Sequence, residues 1–314
     1  MPVWGGNSCP PPLTFQVIPV AQVQYAQNAV ATEPPMSRVE IESLAHELRS
    51  AHDTGQMVPV LPSARPGFDL NAAYEVEAIL KRSHEAAGHR AVGRKVGYAN
   101  KAMWRVLKLE TLVWAHMYDD TVHYSENNSA TLLSLTHYRS LKIEPEIVFG
   151  LKRPITAEGL DATAALESTE WLAVGFEIID CPFPNWQFQP SDFVASFGLH
   201  AALVIGERIQ VKPESIAKLV DELPRFKVRM SKNREFVEEG SGRNSLRSPA
   251  LCLAELSAAV VRRFPAEPLG TAKTTTGEIV SSGTLTAGHP TDQGDLWKVE
   301  VEGLSLPPLT LRLT

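Results

Sequence analysis

Two apolar stretches of this 314-residue chain carry acids where acids are costly. In Lys142-Ile143-Glu144-Pro145-Glu146-Ile147-Val148-Phe149-Gly150-Leu151 the glutamates stand at 144 and 146, and in Ala173-Val174-Gly175-Phe176-Glu177-Ile178-Ile179-Asp180 one stands at 177. Both stretches read as buried strand. Side chains alternate along a strand, so Glu144 and Glu146 share a face and repel each other. Carboxylates are rarely buried unless they are paired or bound to a metal. Three converging carboxylates suit a hard divalent cation such as Mg2+, with water or substrate completing its shell. The competing reading is a pair of solvent-facing acids on an edge strand plus an unrelated third acid. Pro145 permits it, since proline belongs on edges and bulges. The apolar flanks of Glu177 oppose it.

Composition narrows the choice of partners. Hydrophobic residues make up 44% and charged residues 21%, which is ordinary for a globular chain. A net charge of -6 argues against a nucleic-acid surface, which needs clustered Lys and Arg. No stretch approaches the length of a membrane span. Cys9, Cys181 and Cys252 are far apart and odd in number, forming neither a disulfide framework nor a Cys-x-x-Cys site, so a cytoplasmic location is expected. Residues 1–36 read as an N-terminal extension, flexible or packed on a neighbour, with no basic start of the kind a signal peptide has. Met36 offers an alternative start.

Residues 37–92 read as a helical region. Ser37-Arg38-Val39-Glu40 has the spacing of a capping box, Ile41, Leu44, Ala45 and Leu48 follow helical period, and Gly55 lies past the end. A second helix of about 18 residues is predicted from Leu70, with Ala73, Val76 and Leu80 on its apolar face and Gly88 closing it. Residues 93–314 read as the main domain. Strands are predicted around residues 91–99, 144–151, 172–179, 200–206 and 277–286, with helices opened by Pro213 and by Ser248-Pro249. The C-terminus reads as a hairpin, Trp297, Val299 and Val301 alternating with charged residues before Leu309, Leu311 and Leu313. The sum is an α+β protein with a mixed or antiparallel sheet.

Two further motifs bear on chemistry. Lys95 stands between Gly93 and Gly97, which let the backbone turn or approach a ligand, and a partly buried lysine beside a cation can serve as acid or base. Standing alone, it reads more readily as an ordinary surface lysine. Ser281-Ser282-Gly283-Thr284-Leu285-Thr286 is a hydroxyl-rich strand end that can present donors, Ser282 and Thr284 among them, to a carboxylate or keto oxygen. It reads equally as a turn held by local hydroxyl bonds. Other patterns fail. His84 and His89 have one residue too many between them for a zincin helix, so they do not share a helical face. Gly240-Ser241-Gly242 lacks the rest of a phosphate loop, and there is no nucleophile elbow or dinucleotide fingerprint. His200 and His289 read as ordinary structural or surface histidines.

Taken together, these blocks resemble the fumarylacetoacetate hydrolase superfamily, in its branch of 2-keto-4-pentenoate hydratases and related 4-oxalocrotonate decarboxylases. The resemblance runs from about Ser37 to the C-terminus. It is carried by the Gly-x-Lys-x-Gly segment at 93–97, the Glu-x-Glu strand, the Glu177 strand with Asp180 and Trp186 beyond it, the 279–286 segment and Gly294-Asp295. It implies that fold, a mixed sheet roll with flanking helices, and Glu144, Glu146 and Glu177 as ligands of Mg2+ or Mn2+. It also implies Lys95 as the acid/base lysine and Thr284 as a holder of the substrate carboxylate. Asp120 is the implied catalytic acid near the pocket, with Asp119 as the alternative. A Glu at 177 leans toward hydratase over hydrolase. The implied substrate is a small 2-oxo acid and the implied assembly a homodimer or larger. The implied reaction is hydration of a 2-hydroxy-2,4-dienoate, the alternatives being a 2-oxo-3-enedioate decarboxylase, an acylpyruvate-type hydrolase or a non-catalytic member. One departure stands out. Ser196-Phe197-Gly198-Leu199-His200 replaces the polar stretch usual beside the pocket, making Phe197 a candidate substrate contact for a larger or more apolar acid.

Overall fold

The computed structural model describes residues 34–125, 131–134, 138–272 and 277–314, so most of the extension predicted at 1–36 lies outside the described residues. Helix α1, Arg38–Thr54, starts at the predicted capping box: Ser37 N donates to Glu40 Oε2 at 2.8 Å, and the Ser37 hydroxyl accepts from Glu40 N at 3.4 Å. It ends at Gly55, whose φ of 66° only a side-chain-free residue adopts cheaply. Helix α2, Leu70–Ala86, is capped by Asp69, whose carboxylate accepts from Asn71 N and Ala72 N at 2.9 Å. Beyond it Gly88, at φ 101°, turns the chain back. Leu44, Leu48, Val76 and Leu80 from these helices join Ile147 and Phe176 in one apolar core.

The strands follow from residue 91. They are β1 (Ala91–Gly97), β2 (Val113–Tyr118), β3 (Val122–Tyr124), β4 (Thr131–Leu133), β5 (Leu141–Leu151), β6 (Thr169–Asp180), β7 (His200–Ile205) and β8 (Ile209–Gln210). Then come β9 (Lys227–Lys232), β10 (Glu235–Ser241), β11 (Ile279–Ser281), β12 (His289–Pro290), β13 (Leu296–Glu302) and β14 (Leu309–Leu313). Between them lie α3 (Lys101–Leu107), α4 (Ala162–Glu167), α5 (Pro190–Ala195), α6 (Ile216–Glu222) and α7 (Pro249–Arg263). Ser248 occupies the cap position of α7 but its hydroxyl makes no capping bond. No helix of the described residues is long and apolar enough to cross a membrane.

The main sheet runs β2-β1-β11-β5-β6-β7-β3, with β12 beside β5 and β8 beside β6. It is mixed: β1 and β11 are parallel, as are β3 and β7, while β5 and β6 are antiparallel. A second sheet, β10-β9-β13-β14-β4, holds the predicted C-terminal hairpin, β13 against β14.

β5 is a central strand, not the edge that Pro145 permits. The explanation is local. Leu285 N donates to Pro145 O at 2.9 Å, so the polar edge of Pro145 faces residues 282–288 and not β6. A residue in a strand directs its N–H and C=O to the same side. The N–H that proline lacks is therefore missing only where the neighbour is a loop. β11 pairs with residues 148–150 and β12 with 142–143, and the loop spans the gap between them.

Candidate metal centre

Register alone gathers the acids. Glu144 pairs directly with Glu177 across β5 and β6, and Glu146 follows on the same face. Ser281 pairs with Val148 on one side and with Lys95 on the other, which brings the lysine to that face as well. The three glutamates each offer one oxygen within 4.8 Å of the others. Lys95 Nζ lies 3.1 Å from Glu177 Oε2.

Each acid is held differently. Glu146 Oε2 accepts from the Ser281 hydroxyl at 2.5 Å and from Gly283 N at 2.8 Å. Its Oε1 is buried without a hydrogen-bond partner. Glu177 Oε1 pairs with His200 Nδ1 at 2.9 Å, and His200 Nε2 is 3.0 Å from the Thr121 hydroxyl. Glu144 borders a cavity and leans against Gly288, where an added Cβ would sit 2.9 Å from its Oε1.

The electrostatics show a cluster short of positive charge. Burial pushes the Glu144 carboxyl up to about 7, against a partial pull from Lys95. Burial, then the charges of Glu177 and Glu144, hold Glu146 well above the ordinary carboxylate range. Burial also opposes ionisation of Glu177, yet the Lys95 ammonium and His200 outweigh it and keep that carboxyl below its ordinary value. Lys95 and His200 thus secure one carboxylate, and the other two are shifted toward their protonated forms, which a divalent cation would reverse. The orphaned Glu146 Oε1 and the all-oxygen donor set fit Mg2+ or Mn2+.

Lys95 is almost fully buried, donates to Gly198 O at 3.0 Å and sits 4.7 Å from the centre of the Phe193 ring. Its seat depends on a strained turn. Phe197, Gly198 and Leu199 all have positive φ, at 53°, 60° and 57°. A Cβ on Gly198 would approach Ala115 Cβ to 2.7 Å and Lys95 Cδ to 2.9 Å.

A cavity of about 460 Å3 opens over Lys95 and Glu144. Its lining includes the polar Thr284 and Asn244 and the apolar Ile179, Trp186, Phe188 and Phe193, and Lys142 stands 3.9 Å over the Trp186 ring. The Thr284 hydroxyl donates to Thr286 O at 3.0 Å, so the local turn bond and the place on the cavity wall coexist.

Not every candidate from the sequence reaches this place. Ser282 is buried behind it: its carbonyl accepts from the Ser245 hydroxyl at 2.6 Å and its own hydroxyl is unpartnered. Its neighbours Ser281 and Gly283, which sequence reasoning passed over, hold Glu146 instead. At a strand end followed by glycine, alternation does not say which hydroxyl faces in. Asp120 and Phe197 border a different cavity, of about 300 Å3, with His84, His89 and His200. Asp119 is tied to Arg90, accepting from its N at 2.9 Å and Nε at 3.0 Å. His200 is more than an ordinary structural histidine, since it bridges that second cavity and Glu177. The only sequence signal for it is its place at the start of an apolar strand, which proves to be the antiparallel neighbour of the Glu177 strand.

No family model matches the chain. Curated relatives do. The 2-hydroxyhexa-2,4-dienoate hydratase of Comamonas testosteroni is 27% identical over 266 residues, 84% of this chain and 94% of the relative. The 4-oxalocrotonate decarboxylase of Pseudomonas sp. (strain CF600) is 26% identical over 269 residues, 86% and 96% of the two chains. Among solved structures, the 4-oxalocrotonate decarboxylase of Pseudomonas putida G7, complexed with magnesium and adipate, superposes with a TM-score of 0.77 at 23% identity, covering 89% of this chain and 99% of that one. The two share a fold.

Proposed function

The chain belongs to the fumarylacetoacetate hydrolase superfamily, in the branch of 2-keto-4-pentenoate hydratases and 4-oxalocrotonate decarboxylases, and from that premise we propose a hydro-lyase that adds water to a 2-hydroxy-2,4-dienoate to give a 4-hydroxy-2-oxo acid. The observation that carries the reading is the convergence of two buried glutamates and a half-buried third with a buried lysine, 3.1 Å from Glu177, beside a cavity that Glu144 and Lys95 line together with apolar side chains. Glu144, Glu146 and Glu177 would hold Mg2+ or Mn2+, which supplies Lewis-acid polarisation of a bound 2-oxo acid.

The chain's own residues do the rest. Thr284 and Asn244 offer polar contacts to the substrate carboxylate, and the aromatic wall takes the hydrocarbon end. Lys95 directs one N–H to Gly198 O and pairs another with Glu177, which leaves the third for the substrate. Acting at Nζ, it moves the proton of ketonisation: the 2-hydroxyl gives up its proton, C5 gains one, and the dienol becomes a 2-oxo-3-enoate. Water oxygen then forms its bond to C4 and a proton goes to C3. His200 keeps Glu177 oriented from behind.

Lys142 favours a second reading. It is a cation on the cavity wall, 3.9 Å over the Trp186 ring, in direct contact with no carboxylate among the described residues, although its charge reaches Glu144. A distal carboxylate would find it, and that would make the substrate a 2-oxo-3-enedioate and the reaction a decarboxylation. One experiment separates the two. The protein is incubated with Mg2+ and a panel of mono- and dicarboxylic 2-oxo-enoates, following dienoate absorbance and product mass. Gain of water on a monocarboxylate supports the hydro-lyase, loss of carbon dioxide from a dicarboxylate supports the second reading, and cleavage of a carbon–carbon bond into two acids sinks both.

A further inference from the structure

We propose that His84, His89 and Asp120 form a second metal site, separate from the glutamate cluster, that takes a divalent transition ion of the zinc class. The helical-spacing argument that sets these histidines apart assumes a continuous helix, and the helix is not continuous. α2 stops at Ala86, and the turn at Gly88 swings His89 back over the last turn, so that the two rings stack with centroids 4.6 Å apart. Asp120, two residues past β2, enters from the other side, and the three side chains each offer one atom within 4.8 Å of the others.

The distances favour an ion over a hydrogen-bonded cluster. Asp120 Oδ2 lies 3.4 Å from His84 Nε2 and 3.4 Å from His89 Nδ1. Good N–H···O bonds measure about 2.7–3.2 Å, so both contacts are long. Ligands bound at about 2.0–2.1 Å in a tetrahedral shell stand about 3.3 Å from one another, which is close to what both pairs show. His84 is buried, its ring is fixed 4.2 Å from the Tyr118 ring, and its Nδ1 has no hydrogen-bond partner. Neither nitrogen of this buried imidazole therefore has a short hydrogen bond.

Charge and donor type point the same way. The arginines on the cavity wall are already paired, Arg49 with Asp53 at 2.7 Å and Arg139 with Asp180 at 2.8 Å, so neither cancels Asp120. Two imidazoles and one carboxylate suit Zn2+, Co2+ or Ni2+, whereas Mg2+ prefers oxygen throughout. All three side chains line the cavity of about 300 Å3, which has room for the water or ligand that an open zinc site keeps.

The test uses the full chain stripped with chelator and then held in excess Mg2+, which occupies the oxygen cluster. Co2+ is titrated in by its visible absorption, and Zn2+ by calorimetry and melting temperature. One ion per chain is expected, with the absorption of a nitrogen-bound low-coordinate Co2+ and a rise in melting temperature. His89→Ala and His89→Gln, at a side chain 38% exposed, should weaken binding at least about tenfold, the loss that even an outer-shell partner can bring. Asp120→Asn should do the same, while Glu146→Gln leaves this ion in place. Absence of binding overturns the proposal, as does binding indifferent to both His89 variants or abolished by Glu146→Gln. Because the readout is the ion and not turnover, the result is independent of which reaction the glutamate site performs.

Discussion

Arg94 and Lys95 are neighbours on β1 and point to opposite faces of the sheet, and the charge networks they enter differ in balance. On the Arg94 side the acids are spoken for. Arg94 Nη1 pairs closely with Glu278 Oε1, and Nη2 donates to Glu267 O at 3.1 Å. Glu278 Oε2 accepts from Gly270 N, Thr271 N and Ala272 N at 2.8 to 3.2 Å. Glu77 contacts His116 Nδ1 at 2.6 Å, and although burial opposes its ionisation, His116 and Arg94 hold its carboxyl below the ordinary value. On the Lys95 side three glutamates have one lysine in contact, with Lys142 acting on Glu144 only from a distance, and Glu146 Oε1 has no hydrogen-bond partner among the described residues. A buried network whose acceptors are filled is scaffold. One with surplus acceptors is waiting for a ligand, and the strand between them serves both.

This contrast can be broken by experiment. The largest effect belongs to Lys95→Ala, expected to lower turnover by about 10²- to 10⁴-fold, the usual share of a general acid or base, with Mg2+ affinity little changed. Wild-type turnover in that variant removes the lysine from the mechanism. Next is a crossed pair. Glu278→Gln strips a buried arginine of its partner and should cost about 3–5 kcal/mol of stability by denaturant unfolding. Glu146→Gln should do the reverse, leaving the metal-free protein no less stable because it replaces a carboxyl whose charged form the fold disfavours, while the melting-temperature gain from Mg2+ shrinks or vanishes. If both variants destabilise alike, the two faces are not different in kind.

A pH series without metal sharpens the same point. Glu144, at about 7 in the fold against 4.5 when unfolded, and Glu146, raised further, both favour the folded state in their protonated forms. That contribution is complete below about pH 4.5 and lost as pH rises through about 7. Glu177, lowered in the fold, loses its own contribution only below its unfolded value and does not act in this window. The chelated protein should therefore melt at lower temperature at pH 8 than at pH 5, and excess Mg2+ should flatten the difference. A melting temperature that rises over this range in chelator contradicts the charge account. The smallest effect is expected from Gly198→Ala. A left-handed residue without glycine's freedom costs about 1–2 kcal/mol, and the new methyl meets the Lys95 stem. Turnover should fall while Mg2+ binding persists.

What the sequence disclosed followed the reach of its periodicities. Period two put Glu144 and Glu146 on one face, and helical period with its caps located α1 and α2 to within a residue or two. The pairing of Glu144 with Glu177 could be suspected only from the cost of burying both, because register across strands leaves no mark in a single strand. The roles of Ser281 and His200 were hidden for the same reason. His84 and His89 share no helical face, as their spacing says; what spacing does not show is that the turn at Gly88, after ending the helix, brings the two rings together. Pro145 looked like evidence for an edge, since the sequence shows a missing donor but not which neighbour misses it.

That missing donor has a consequence for how such a catalyst can change. Because Pro145 offers a carbonyl but no N–H on this side, residues 282–288 hang on β5 by a few bonds, with the ladders of β11 and β12 closed on either side. Changes around Thr284 break no strand pair, but Gly283 N in the same segment holds Glu146 and Gly288 lies against Glu144. The loop is thus free of the ladder yet tied to the acids, so its length and its contacts with the glutamates answer to separate constraints.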